Sequence, residues 1–134
     1  MPAPTTPSSP RGRVLAVDDS FVMRELVTAS LEAAGYSVAA VSSGDAALDA
    51  AAREPFDAFI LDVDMPGMDG MAVGRALRRD PRTRSSMIAM HTSLDESDVR
   101  SGFDGYNAFL RKPFDARRLG ECVDRMLRER GPRA

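Results

Sequence analysis

Five short apolar runs recur along this chain, and the stretches between and after them have the spacing of amphipathic helices. The runs are VLAV (14–17), YSVAAV (36–41), AFIL (58–61), MIAM (87–90) and AFL (108–110). Several have no polar alternation, the pattern of strands covered on both faces. Helical patterns fall near residues 20–34, 44–53, 70–79, 94–103 and 115–129. No other feature restricts the fold as much. A parallel neighbour can be reached only through a crossover, so alternating strands and helices require a parallel sheet wrapped on both sides. Right-handed crossovers then leave few topologies. The fold class is α/β.

Local signals agree with this division. Ser20 is placed to cap the first helix and Gly35 to end it. Asp115 caps the last helix, along which Leu119, Val123, Met126 and Leu127 form one stripe. The fourth helix is the weak one. In SLDESDVRSGFDGYN only Leu94, Val99 and Phe103 suit a core. Gly102 interrupts the pattern at a cost of about 1 kcal/mol, so a short or irregular helix is expected.

A chain of 134 residues is read as one domain with a core of its own. The expected organisation is a Pro-rich tail over residues 1–12, a folded domain over 13–128 and a second tail over 129–134. A net charge of −2 gives no general attraction to nucleic acid or to an anionic membrane surface, so neither is expected as a partner. No apolar run approaches the length of a membrane span. The lone Cys122 cannot form an internal disulfide, and a cytoplasmic location is expected.

In an open parallel sheet, ligands bind beyond the carboxyl ends of the strands. After VLAV come Asp18 and Asp19; after AFIL comes Asp62, in LDVDMPGMDG. After MIAMH come Thr92 and Ser93, and after AFLR comes Lys112. Lys112 is the only lysine, since every other basic residue of the 18 is arginine. A slim ammonium on a flexible stem reaches where a planar guanidinium does not fit. Taken singly, each residue has a plain structural role, such as a helix cap for an Asp or a turn for Thr92. Together they place three carboxylates, a hydroxyl and the sole ammonium on one rim. Crowded carboxylates repel unless a cation occupies the gap, and oxygen-only ligands favour a hard cation such as Mg²⁺.

The acidic pair DD, the run DVDMPGMDG, the pair TS and the tail KPF, in this order, resemble the receiver domain of bacterial response regulators, of the chemotaxis CheY type. The resemblance covers about residues 13–128. It implies a flavodoxin-like (βα)5 fold, a doubly wound sheet with strand order 2-1-3-4-5. It implies a single-domain response regulator that is a phosphoacceptor switch rather than an enzyme, though it assists its own phosphorylation and dephosphorylation. Asp62 would accept a phosphoryl group from a histidine kinase or histidine phosphotransfer protein and pass the signal to a downstream protein target. Asp19 and Asp62 would bind Mg²⁺ with the backbone carbonyl of Asp64, and Asp18 would act through water. Lys112 would contact the phosphoryl oxygens, and Thr92 would swing its hydroxyl onto them. A cis Lys112–Pro113 bond is usual in the family. At the position where the family often has a switch tyrosine this chain has Phe109, which keeps the ring and loses the hydroxyl. The stretch from Thr92 to Lys112 is shorter than in the chemotaxis members, and the shortening falls on the weak fourth helix.

Phosphoryl transfer is mostly positioning and charge neutralisation, which Mg²⁺ and an ammonium supply. Small Ser93 would leave the phosphate open to solvent. His91 is read as a packing or surface residue, Cys122 as a small core residue, and the arginines of 75–84 and 115–134 as mostly solvated helix faces. Two other functions compete. Asp62-Val63-Asp64 also fits the nucleophile and acid/base signature of haloacid-dehalogenase-type phosphohydrolases, although that family places it after the first strand. An unphosphorylated pseudo-receiver adaptor is the third reading, and such a protein need not keep every ligand.

Overall fold

The structure, a computed structural model, describes residues 11–130. Its strands are β1 (Arg13–Val17), β2 (Ser37–Val41), β3 (Ala58–Asp62), β4 (Met87–Thr92) and β5 (Ala108–Arg111). They form one parallel sheet in the order β2-β1-β3-β4-β5. The helices are α1 (Phe21–Ala33), α2 (Gly44–Arg53), α3 (Gly70–Arg79), α4 (Glu96–Gly102) and α5 (Ala116–Arg130). The expected order 2-1-3-4-5 is the observed one.

Successive strand residues point to opposite faces, and the two faces build two cores. Val14, Ala16, Ala58, Ile60 and Ala89 pack with Val27 and Leu31 of α1 and Leu119, Val123 and Met126 of α5. Leu15, Val17, Phe59, Leu61, Ile88 and Met90 pack with α2, α3 and α4 through Ala47, Val73, Leu77 and Val99. Each large apolar side chain so buried contributes about 1.5–3 kcal/mol. Cys122 is buried in the first core, as its sequence context implied.

The capping residues act as read. Ser20 accepts from the Met23 amide at 3.2 Å, and Asp115 accepts from the Arg117 amide at 2.8 Å. Gly35 takes φ +98°, the left-handed turn that lets the chain leave α1 for β2. β4 runs past the apolar MIAM run through His91 and Thr92. α4 is short, seven residues, with only Val99 buried and no side-chain cap from Asp95. Phe103 closes the gap beneath it, and a Cβ on Gly74 of α3 would lie 2.5 Å from that ring. The tail readings for 1–12 and 129–134 lie mostly outside the described residues. At their inner ends, the Arg11 amide donates to Gly35 and Gly12 accepts from the Ser37 amide, while residues 129 and 130 complete α5.

Candidate functional site

The chain order reverses between β1 and β3: β2 lies on one side of β1, and β3 to β5 lie on the other. The carboxyl ends of those two central strands therefore open a crevice, and both end in aspartates. Asp18 and Asp62 are buried at 3% and 2% exposure, while Asp19 is exposed. One carboxylate oxygen from each of the three lies within 4.8 Å of the others. Lys112, from the end of β5, enters this group. Its Nζ lies 3.2 Å from Asp18 Oδ2 and 3.1 Å from Asp62 Oδ1.

The remaining contacts divide the carboxylates by role. Asp18 Oδ1 accepts from the Ser20 amide at 2.9 Å, so both of its oxygens are engaged. Asp62 Oδ1 also accepts from the Asp64 amide at 3.3 Å. Among the described residues Asp19 has no hydrogen-bond or ion-pair partner. Three carboxylates thus face one ammonium. Burial pushes the Asp62 carboxyl up to about 6; the hydrogen bond from Lys112 pulls it back, and the charge of Asp18 pushes it further up. Burial works against the Lys112 ammonium, but its two carboxylate partners prevail and hold it above its ordinary value. A close oxygen cluster with excess negative charge suits a hard divalent cation. The donor set fits Mg²⁺.

The loop after β3 is folded tightly against this crevice. A Cβ at Gly70 would sit 2.2 Å from the Asp62 carbonyl oxygen, so only glycine permits the first turn of α3 to approach there. The Asp64 side chain points to solvent. Lys112–Pro113 is cis. Thr92 is fully buried, and its Oγ1 accepts from the Leu94 amide at 3.1 Å, the turn-forming role that its residue type allows. Its carbonyl accepts from the Lys112 amide at 2.8 Å, which ties the end of β4 to the lysine loop. Ser93 beside it is exposed. Phe109 of β5 is half-buried, with its ring 6.1 Å from Tyr106.

His91 is buried under the lysine loop, in register with Asp62 and with its ring edge-on to Phe114 at 5.2 Å. Burial, helped by Lys112, lowers it to about 4, so it is a neutral packing group. Among the described residues its Nε2 is buried without a hydrogen-bond partner.

Sequence reasoning missed three features around the site. Phe21, Val22 and Leu26 of α1 are exposed at 65%, 64% and 50%, beside the acidic pair. They lie off the Val27–Leu31 stripe, and that offset was the available signal. Tyr106 donates to Glu96 Oε2 at 2.7 Å and accepts from Arg100 Nε at 3.3 Å, linking the approach to β5 with α4. Arg24 donates to the Asp18 carbonyl at 2.9 Å.

Comparison with known proteins accords with this geometry. The family model described as response regulator receiver domain matches residues 14–124. The chain belongs to the response regulator receiver family. It is 43% identical over 105 residues to the response regulator PleD of Caulobacter vibrioides, covering 77% of this chain and 23% of PleD. To the transcriptional activator protein PfeR of Pseudomonas aeruginosa it is 37% identical over 122 residues, covering 90% of this chain and 39% of PfeR. The receiver thus spans well under half the length of these relatives. Among solved structures, the chemotaxis protein CheY4 of Vibrio cholerae superposes with a TM-score of 0.82 at 34% identity, over 86% of this chain and 98% of that one. The response regulator TrrA of Thermotoga maritima, solved in complex with Mg(2+)-BeF, gives 0.78 at 28% identity, over 86% and 98%. Receivers as a class are phosphoacceptor switches. Among the described residues no helix is long and apolar enough to cross a membrane.

Proposed function

We propose that Asp62 is the phosphoacceptor of this receiver, taking its phosphoryl group from the phosphohistidine of a histidine kinase or phosphotransfer protein in an Mg²⁺-dependent reaction. An Asp62 carboxylate oxygen attacks phosphorus, the bond from phosphorus to the donor imidazole nitrogen breaks, and the imidazole leaves with that electron pair. The product is an acyl phosphate on Asp62. Asp19 and Asp62, with the Asp64 carbonyl, would hold Mg²⁺, and Asp18 would act through water. Bound there, the cation neutralises charge on the transferring group. The observation that carries this reading is the grip of the sole lysine on a buried, over-negative aspartate at the point where strand order reverses.

The protein's own groups supply the rest. Lys112 exchanges one carboxylate partner for the new phosphoryl oxygens. Thr92 gives up the Leu94 amide to donate its hydroxyl to the phosphoryl group, and Phe109 moves toward the space so released. Phe109 lines a cavity of about 330 Å³ along β5, between Glu96 of α4 and Arg118 of α5, and a downstream protein reads the change there. The exposed Phe21, Val22 and Leu26 offer the phosphodonor an apolar seat next to the site. The hydrolase alternative needs the second Asp of its signature inside the pocket, whereas the Asp64 side chain is exposed. The pseudo-receiver alternative has no support from a site that retains every expected ligand.

With Mg²⁺ and acetyl phosphate, the intact mass is expected to rise by one phosphoryl group, and Asp62→Asn to abolish the gain. Undiminished labelling of Asp62→Asn at another residue would remove the assignment.

A further inference from the structure

We infer that Arg24 is a positioning residue for the cation site, holding the backbone between Asp18 and Asp19 so that the Asp19 carboxylate faces the pocket. The inference rests on reading Asp18, Asp19 and Asp62 as the Mg²⁺ site.

Asp18 is fixed on every side. Its amide donates to Val41 at 3.2 Å, Oδ1 accepts from Ser20, and Oδ2 accepts from Lys112. Asp19 has no such partner among the described residues, yet its oxygen lies within 4.8 Å of the other two carboxylates. A side chain without contacts of its own has only its Cα–Cβ direction set, and that by its backbone. The Asp18 carbonyl, the Asp19 amide and the Asp19 Cα share one peptide plane, so fixing the carbonyl fixes the plane from which Asp19 departs. Arg24 Nη1 donates to that carbonyl at 2.9 Å.

Arg24 is itself well placed. It lies in the first turns of α1, where its amide bonds to the Ser20 carbonyl at 3.0 Å, and its guanidinium lies 5.8 Å from the centre of the Phe21 ring. The side chain therefore reaches back from the helix to the strand end that precedes it. The Asp18 carbonyl lies outside the α1 hydrogen-bond ladder, so this contact is not needed to complete the helix. Groups that hold metal ligands in place commonly govern affinity by 10- to 100-fold.

The test is Mg²⁺ affinity measured by calorimetry or NMR titration, without any phosphodonor. Arg24→Ala is expected to bind Mg²⁺ about tenfold more weakly than wild type. Arg24→Lys, which restores one donor, should recover most of the affinity. In an Asp19→Ala background, removing Arg24 should cost less than about twofold, because the ligand it aims has gone. Arg24→Met keeps the packing stem without the donor and carries the same expectation if Arg24→Ala does not fold. Equal affinity in wild type and both donor-less variants would overturn the inference and leave the site reading intact. So would a full tenfold loss that persists in Asp19→Ala. Absence of Mg²⁺ binding by wild type would take down the site reading and the inference together.

Discussion

Charged side chains gather at both ends of the sheet. At the amino end, Arg13 meets Glu54 at 2.6 Å, and Asp57 accepts from the Arg13 amide at 2.8 Å and from Arg130 at 3.1 Å. Asp124 takes the Tyr36 hydroxyl and Arg11 together. Arg78, half-buried, donates to the carbonyls of Gly105, Arg84 and Ser86 and to Asn107 Oδ1. At the carboxyl end three carboxylates gather, Lys112 pairs with Asp18 and Asp62, and Asp19 has no partner among the described residues. The amino end pairs its charged groups on folding, with Arg130 Nε the one exception among them, whereas the carboxyl end carries more negative charge than its one lysine offsets. The paired charges and the candidate site thus lie at opposite ends of the same five strands.

Removing a settled group at the amino end should have the largest effect. Arg78→Ala leaves several backbone carbonyls without a charged donor and is expected to cost about 3 kcal/mol in urea or guanidinium unfolding. A loss under about 1 kcal/mol would show that water replaces the guanidinium without penalty. The variant should keep its full response to Mg²⁺, since Arg78 is remote from the crevice.

The carboxyl end should reveal itself through pH, in EDTA. Asp62 binds its proton more tightly folded than unfolded, so its stabilisation is complete below its ordinary value near 4 and lost as pH rises through about 6. His91 is held neutral when folded, so its contribution is complete above about 6.5 and lost as pH falls toward about 4. The two slopes oppose each other over the same window. Asp62→Asn should uncover the histidine slope, losing about 2 kcal/mol between pH 6.5 and 4. His91→Leu should uncover the aspartate slope, losing about 2 kcal/mol as pH rises from 4 to 6. Unchanged pH profiles in both variants would mean that neither group titrates abnormally.

A smaller effect sharpens the contrast. Tyr36→Phe removes one hydrogen bond at the amino end, while Arg11 still faces Asp124, and should cost about 1 kcal/mol without any change in Mg²⁺ affinity.

The sequence made most of the fold legible, because five apolar runs separated by helical patterns admit few arrangements. Both α2 and α3 fall at the residues where periodicity placed them. β4 was harder, since His91 and Thr92 look like the end of a strand and yet continue it, buried among groups that the local sequence does not show. Asp18, Asp19, Asp62 and Lys112 were legible because each follows an apolar run, and parallel topology brings those positions together. Arg24 and Arg78 were not. Each is one arginine among many, and apart from Asn107 Oδ1 for Arg78 their partners are backbone carbonyls, which leave no trace in residue identity. The exposure of Phe21, Val22 and Leu26 went unread for a related reason: apolar character alone does not say which face of a helix is covered, and only their offset from the Val27–Leu31 stripe marks it.

The central claim, that the carboxyl end holds negative charge awaiting a cation, is tested most directly by thermal melting of wild type and Asp19→Asn across a Mg²⁺ series. A ligand of the folded state adds about 1.4 kcal/mol at ten times its dissociation constant, so the wild-type midpoint should climb with Mg²⁺ concentration. Asp19→Asn should melt above wild type in EDTA, because one crowded charge has gone, and should gain little from Mg²⁺. A wild-type midpoint that does not move with Mg²⁺, with Asp19→Asn melting no higher in EDTA, would contradict the account.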